Sequence, residues 1–389
     1  MSQQDSFVNG GSLYGLRILN ELLLSGDAEI IGVYLKRQKF NAEAESIIKQ
    51  HNIKLIDINR EKIESVCARE GIDKVFITIA QRFAKIALDK IECEVIMVVH
   101  DIGDIIVQES GVFNRKQFLK SGNIFKRTFK KVKTFLSRRL RFLLGCLLGQ
   151  NLVILLRYKN FKKAVGRQNV YLIAASRYTK SALEYYFDDI KNDVTVCWSP
   201  LKNYVYSDDI KSDAVKSYLN KKRKYFLLIS CDRPHKNAYM FYEVFKKLNE
   251  RLGREYDAVF VGDINVKGDN IVNFKSIPSA DLEHLYKNAE LFIYPTFSEG
   301  FGYPPVEAMR YGTPTVAAYA TAVPEVLENA GIYFNPLYKE DLYQKTLVAI
   351  CNFDKIKQIC VSRYSEIIKK QEEDLLKLVN LLKQENKEK

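Results

Sequence analysis

Short apolar runs alternate with helix-length amphipathic segments along the whole chain. In the first half the runs fall at 30–34, 53–58, 74–79, 95–99, 170–174 and 194–197; in the second they fall at 225–229, 258–261, 271–274, 291–294, 315–318 and 331–334. Apolar runs of this length, separated by segments long enough to cross back over a sheet, predict parallel strands joined by helices. The chain therefore reads as two doubly wound α/β domains. Between them, residues 198–224 carry a Ser199-Pro200 step, a Ser207-Asp208-Asp209 turn signal and the cluster Lys221-Lys222-Arg223-Lys224, which suit a linker and place the boundary near residue 200.

The two ends of the chain read differently. Only residues 6–8 supply apolar character ahead of Gly10-Gly11, so the first strand of the first domain is expected to be short, absent from this sequence or replaced. Gly10-Gly11-Ser12, followed by Leu13, Leu16, Ile18, Leu19 and Leu22 at helical spacing, reads as a strand-to-helix turn whose backbone amides could face an anion. A purely structural turn fits that pattern equally well. From residue 354 onward the spacing is helical and rich in Lys and Glu, and residues 366–389 read as a terminal helical region with a solvated tail.

Length and composition agree with two domains, since 389 residues with 47% apolar content exceed what one hydrophobic core sustains. Seven scattered cysteines form no C-x-x-C pair and no Cys/His cluster, and no secretory leader pattern opens the sequence, so a cytoplasmic setting is expected. The longest apolar run, 142–156, is broken by Gly145, Gly149, Gln150 and Asn151 and is shorter than the roughly 18–20 residues of a spanning helix.

Charge changes the picture of the first domain. The net charge is +13, yet between Glu109 and Glu184 there are eighteen Lys or Arg and no acidic residue; without that stretch the chain would be mildly acidic. Within it, Phe125, Phe129, Val132, Leu136, Leu140, Leu143 and Leu147 recur at steps of three or four and trace one helical face. Lys and Arg fill much of the remainder. A basic amphipathic insertion at about 115–165 is expected to lie against an anionic membrane surface, peripherally and on its cytoplasmic face. Simple packing on the sheet with a solvated basic face is the bland alternative. Nucleic acid is a third, but no aromatic-interleaved binding motif supports it.

Two segments carry chemistry. Ser298-Glu299-Gly300-Phe301-Gly302-Tyr303-Pro304-Pro305-Val306-Glu307 follows the run at 291–294 and sets two carboxylates eight positions apart. Gly300 and Gly302 permit backbone geometries that let amides approach a ligand, and Pro304-Pro305 opens a helix holding Glu307. Carboxylates and amides at the C-terminal edge of a parallel sheet suit a ligand rich in hydroxyls. Glu307 alone could merely favour a helix N-terminus. The second segment, Ser230-Cys231-Asp232-Arg233-Pro234-His235-Lys236-Asn237, follows the run at 225–229 and opens a helix. Cations at a helix N-terminus oppose its dipole unless an anion binds, so Arg233 and Lys236 are candidates to hold a diphosphate; the alternative is a solvated cationic turn.

With those segments, Val261-Gly262, Ala280 to Tyr286, Tyr294-Pro295-Thr296, Gly312-Thr313-Pro314 and Val323-Pro324-Glu325-Val326 follow in order. Together they resemble glycosyltransferase family 4, the large retaining family with the GT-B fold, over a nearly continuous stretch from Lys224 to about Asp341. The resemblance implies an α/β GT-B architecture of two Rossmann-like doubly wound parallel-sheet domains facing a central cleft, with 1–200 on the acceptor side and 201–365 binding a nucleotide sugar. It implies that Arg233 and Lys236 grip the donor diphosphate, that Glu299 and the amides around Gly300, Phe301 and Gly302 hold the transferred sugar, and that Glu307 binds the ribose. The nucleobase is expected near Gly262 and Ser276-Ile277, and His100 at a strand end near the sugar and acceptor.

No Asp-x-Asp metal motif occurs, so no metal is implied; the resemblance implies a retaining transfer without cofactor, from a UDP-, GDP- or dTDP-linked hexose to a glycan or lipid-linked acceptor in bacterial surface polysaccharide assembly. Two rivals remain: a noncatalytic carbohydrate-binding scaffold, and a nucleotide-sugar hydrolase or epimerase of the same fold.

Overall fold

The computed structural model describes residues 10–26, 28–34, 40, 42–58, 61–80, 90–102, 160–200 and 208–383. They divide into two units. The first takes the described residues up to 102, 160–200 and 368–383; the second takes 208–367. The basic insertion read at about 115–165 lies outside the described residues up to 159.

The first unit runs α1 (Gly10–Ser25), β1 (Ile31–Tyr34), α2 (Ala42–Gln50), β2 (Lys54–Asp57), α3 (Ile63–Glu70), β3 (Lys74–Ile77), β4 (Glu94–Val99), β5 (Val170–Ala174), α4 (Arg177–Tyr186) and β6 (Thr195–Val196). All six apolar runs of the first half are strands. They form two parallel sheets, β1-β2 and β3-β4-β5-β6. Gly10 and Gly11 lie within the first turn of α1, which corrects the expected turn ahead of a helix. The side chains of α1 divide between two cores. Tyr14 and Ile18 pack with Ile96, Val98, Ile173 and Cys197, while Leu16 joins Ala44, Ile47 and Ile53.

The second unit contains α5 (Asp213–Leu219), β7 (Lys224–Leu228), a 3₁₀ turn (Pro234–Lys236), α6 (Ala238–Arg251), β8 (Tyr256–Val261), β9 (Ile271–Phe274), α7 (Ser279–Asn288) and β10 (Leu291–Tyr294). It continues through α8 (Tyr303–Met309), β11 (Thr315–Ala318), α9 (Val323–Leu327), β12 (Gly331–Phe334), α10 (Lys339–Cys351) and the start of α11 (Phe353–Lys383). Its six strands are all parallel, in the order β12-β11-β10-β7-β8-β9. Counted from β7 this is the doubly wound order 3-2-1-4-5-6, whose direction reverses between β7 and β10.

Burial follows the order of the strands. β8, β10 and β11 are buried at every position and β7 at all but its first, whereas the edge strands β9 and β12 are mostly half-buried. That is why the central strands are unbroken apolar runs: parallel sheets are covered on both faces.

Helix α11, 31 residues long, begins in the second unit and counts from residue 368 onward to the first. Leu375, Leu378 and Val379 are buried in the core that holds Tyr14 and Ile96. The Asp374 carboxylate accepts the Trp198 N–H at 2.8 Å. The solvated tail expected from 366 is thus corrected up to residue 383: the stripe at 375, 378 and 379 is a core face whose apolar spacing is masked in composition by the charged residues between.

Candidate active site

In an open doubly wound sheet, ligands bind beyond the C-terminal ends of the two strands where the winding reverses. Those strands are β7 and β10, and the two segments singled out for their chemistry are the turns that follow them.

After β7 the chain turns tightly. Arg233 N–H donates to the Ser230 carbonyl at 3.1 Å and Lys236 N–H to the Arg233 carbonyl at 3.0 Å, closing the 3₁₀ turn. Asn237 then takes a left-handed conformation, φ +53°, before α6 starts at Ala238. Arg233 and Lys236 therefore precede α6 instead of opening it, which corrects the sequence expectation; an Asn tolerant of that conformation separates turn from helix.

After β10 the chain is stitched to this turn. Phe297 N–H donates to the His235 carbonyl at 2.8 Å. The Thr296 hydroxyl lies 3.3 Å from that same carbonyl and 3.0 Å from Glu299 Oε1. The cationic and acidic turns are thus fixed to each other through their backbones as well as their side chains.

Lys236 is only 5% exposed. Its ammonium donates to Glu299 Oε1 at 2.5 Å and to the Tyr294 hydroxyl at 2.9 Å, and stands 4.7 Å from the centroid of the Tyr294 ring. His235 Nε2 is 3.9 Å from the same carboxylate oxygen. Burial alone would raise the Glu299 carboxyl, but the charges of Lys236 and His235 and the hydrogen bonds from Lys236 and Tyr294 outweigh it and hold the group below the usual carboxylate range. Glu299 is an anion at neutral pH.

Tyr294 is surrounded by charge. Burial, then Glu299 and Glu307, push its phenol well above the ordinary value, while Arg233 pulls the other way. Both carboxylates of the acidic turn and the arginine of the cationic turn therefore act on one buried side chain. Arg233 itself is exposed, and its guanidinium has no hydrogen-bond or ion-pair partner among the described residues.

Around this centre, Gly302 has φ +100° and caps α8, a conformation that L side chains rarely adopt. Gly300 and Phe301 are buried. Glu307 is buried within α8, and Oε2 accepts the Tyr286 hydroxyl at 2.9 Å. Gly262, at the end of β8, has φ +132°, and a Cβ there would meet the Cys231 and Asp232 nitrogens at 2.6 and 2.9 Å. A glycine is required at that point by its close approach to the β7 turn. Ile277 is half-buried beyond the end of β9.

His100 belongs to the first unit. It follows β4, its Nε2–H donates to the Thr78 carbonyl at 2.9 Å, and its ring stands edge-on to Tyr14 at 4.9 Å. The Thr179 hydroxyl, at the start of α4, donates to the His100 carbonyl at 3.3 Å. Burial pushes the imidazole down to about 4, against a weaker opposing pull from the Thr78 carbonyl, so the ring is neutral at pH 7. Gly10 and Gly11 are in the same unit.

The structure thus brings Arg233, Lys236, Glu299, Gly300, Phe301, Gly302 and Glu307 together at the reversal point. It adds Tyr294, Thr296 and His235, which sequence reasoning did not single out. Tyr294 had a signal: a tyrosine closing a buried strand must find a partner for its hydroxyl. Among the described residues no group of three or more His, Cys, Asp or Glu is placed to hold a metal ion, and no helix is long and apolar enough to cross a membrane.

Comparison with known proteins bears on this geometry. Residues 209–345 match the family model of glycosyl transferases group 1. The O-antigen chain mannosyltransferase RfbU of Salmonella typhimurium is 29% identical over 183 residues, covering 44% of this chain and 50% of RfbU, so the match spans about half the length of that relative. Among solved structures, Anabaena HepE in complex with UDP superposes with a TM-score of 0.62 at 14% identity, covering 97% of each chain. WaaG, a glycosyltransferase involved in lipopolysaccharide biosynthesis, superposes with a TM-score of 0.60 at 14% identity, covering 96% of each. At such identity the likeness shows the fold, which is GT-B. The segment that matches the glycosyl transferases group 1 model, residues 209–345, contains both the cationic and the acidic turn.

Proposed function

We propose that the chain is a glycosyltransferase that moves a hexose-type sugar from a nucleotide diphospho-sugar to a glycan or lipid-linked acceptor, in the assembly of a bacterial surface polysaccharide. The observation that carries this reading is the Lys236–Glu299 pair, a buried ammonium on a half-buried carboxylate, joining two turns at the reversal point of the second unit's sheet. In this reading Arg233, exposed and without a hydrogen-bond or ion-pair partner among the described residues, takes the donor diphosphate and stabilises it as it leaves. Lys236 contributes positive charge from beneath while keeping Glu299 ionised and aimed. Glu299 and the amides of Gly300, Phe301 and Gly302 hold the transferred sugar, Glu307 the ribose, and Gly262 and Ile277 border the base.

The transfer is proposed to be retaining and to need no divalent cation, the diphosphate charge falling to Arg233 and Lys236. His100 is a neutral hydrogen-bonding group toward sugar or acceptor. RfbU being an O-antigen chain mannosyltransferase, mannose heads the sugars to be tried. The basic stretch of the first half supports peripheral attachment to an anionic membrane surface on its cytoplasmic face; equal recovery in the supernatant after sedimentation with anionic and neutral liposomes would remove that part.

The deciding experiment incubates the protein with UDP-, GDP- and dTDP-linked hexoses, a mannose-terminated oligosaccharide and a lipid-linked saccharide. Transfer from one nucleotide class is expected, lost in E299A. Binding of no donor favours a scaffold, and donor turnover equally fast without acceptor favours a hydrolase or epimerase.

A further inference from the structure

Glu299 is held at its main chain as well as at its side chain. Its N–H donates to the Thr321 hydroxyl at 2.8 Å, and its carbonyl accepts the Ala322 N–H at 3.4 Å. Both backbone polar groups of the key residue are therefore taken by two consecutive residues of the β11–α9 connection, twenty-two positions away in the chain. Thr321 makes this contact from φ +50°, the left-handed region. For a β-branched residue that conformation is an outlier, because its two Cβ substituents crowd the backbone. Such a conformation persists only where the surroundings over-determine it. Here the next residues leave little freedom: Ala322 is fully buried, Val323 N–H donates to the Ala320 carbonyl at 3.1 Å, and Val326 N–H to the Ala322 carbonyl at 3.1 Å.

A glycine would take this backbone without strain, yet it could offer nothing to the Glu299 N–H. The threonine trades an easy conformation for a hydroxyl at one spot. That spot fixes the chain at the point where it enters Glu299-Gly300-Phe301-Gly302, so the carboxylate and the amides behind it are set together.

We propose that Thr321 is a positioning residue: its hydroxyl, presented by a strained left-handed backbone, fixes the Glu299 main chain so that the carboxylate and the following amides meet the transferred sugar in one orientation. This rests on the sugar-holding role proposed for Glu299. Thr321 touches no reacting atom in this scheme. Loss of its hydroxyl lets the acidic turn sample other orientations, and small misplacements of this kind lower turnover more than donor affinity, because the diphosphate is gripped elsewhere.

The test is a set of three substitutions assayed beside wild type and E299A with the UDP-, GDP- and dTDP-linked hexose panel. T321A loses the hydroxyl and keeps only the strain of a Cβ in the left-handed region; T321G loses both; T321S keeps the hydroxyl. T321A and T321G are expected to lose about tenfold in kcat, with donor KM changed less than about threefold, as for one hydrogen bond whose effect falls on the transition state. T321G is expected to melt above T321A, since glycine relieves the backbone, and T321S to stay within about twofold of wild-type kcat. Turnover would then follow the hydroxyl and not the melting temperature. Activity that instead tracks stability, or T321A turnover equal to wild type beside an inactive E299A, overturns the inference alone. Wild-type protein that transfers sugar from none of the donors, or full activity in E299A, overturns the reading of Glu299 beneath it, and the inference falls with that reading.

Discussion

The second unit has a complete six-stranded sheet, whereas the first has the same kind of strands in two pieces. In the second, the first strand, β7, lies between the second and the fourth, and the turn after it meets the turn after β10. In the first, β1 pairs only with β2 among the described residues, and β3 to β6 form a separate sheet in chain order. Among the described residues no strand joins those two sheets as β7 joins β8 to β10 in the second unit, and residues 1–9 lie outside those described. The difference teaches where charge gathers: in the second unit it stands on the turn after the first strand, which the reversal of winding brings beside the turn after β10. The first unit instead offers a neutral His100 at the end of β4, while the second concentrates charge.

The largest effect expected from this contrast is that of K236A. Removing the buried ammonium leaves the half-buried Glu299 carboxylate without its main charge partner, so transfer should fall by at least about 100-fold and stability by about 1–3 kcal/mol, read by kinetics and urea denaturation of the same preparation. Loss of activity with no loss of stability would mean that the ammonium is not buried as described. In the first unit, L378A should cost about 2–5 kcal/mol, because Leu378 is a core residue at 1% exposure. A change below about 0.5 kcal/mol would return that end of α11 to the surface.

R233A should behave oppositely to K236A. Arg233 is exposed and has no hydrogen-bond or ion-pair partner among the described residues, so the melting temperature should hold while donor KM rises about 10- to 100-fold, as for one charge-assisted hydrogen-bonding group. The smallest effect is that of pH on the first unit. The unfolded chain takes up a proton at His100 near its ordinary value of 6.5, and the folded chain only near 4. Stability therefore declines as pH falls from about 6.5 toward 4, by on the order of 1–2 kcal/mol at pH 5. Denaturation of wild type and H100N at pH 7.5 and 5 isolates this contribution, and parallel pH slopes would refute it.

Much of this was legible in the sequence. All twelve apolar runs are strands, because a strand buried on both faces needs only continuous hydrophobicity, which is local information. The two turns were legible for a related reason: their glycines, prolines and charges stand immediately after such runs. What escaped reading depends on pairings distant in the chain. Lys236 looks like any surface lysine until Tyr294 and Glu299, 58 and 63 positions on, close over it. At Gly262 the sequence does not reveal that the backbone of residues 231 and 232 excludes a side chain, whatever ligand lies nearby. Thr321 carries no sequence signal at all, since its conformation is set by packing. The end of α11 was misread because eight Lys, Glu and Asp residues between 366 and 383 outnumber the apolar stripe that decides its burial.

That stripe has a consequence for how the molecule is made. During synthesis the segment 208–367 leaves the ribosome as an uninterrupted piece holding all six of its strands, whereas the amino-terminal half, although made earlier, waits for Leu375, Leu378 and Val379 to cover Ile96 and Val98. The half translated first is therefore the half finished last, reversing the usual amino-to-carboxyl order of domain folding. In the interval its apolar sheet face stays open to chaperones or to a neighbouring nascent chain.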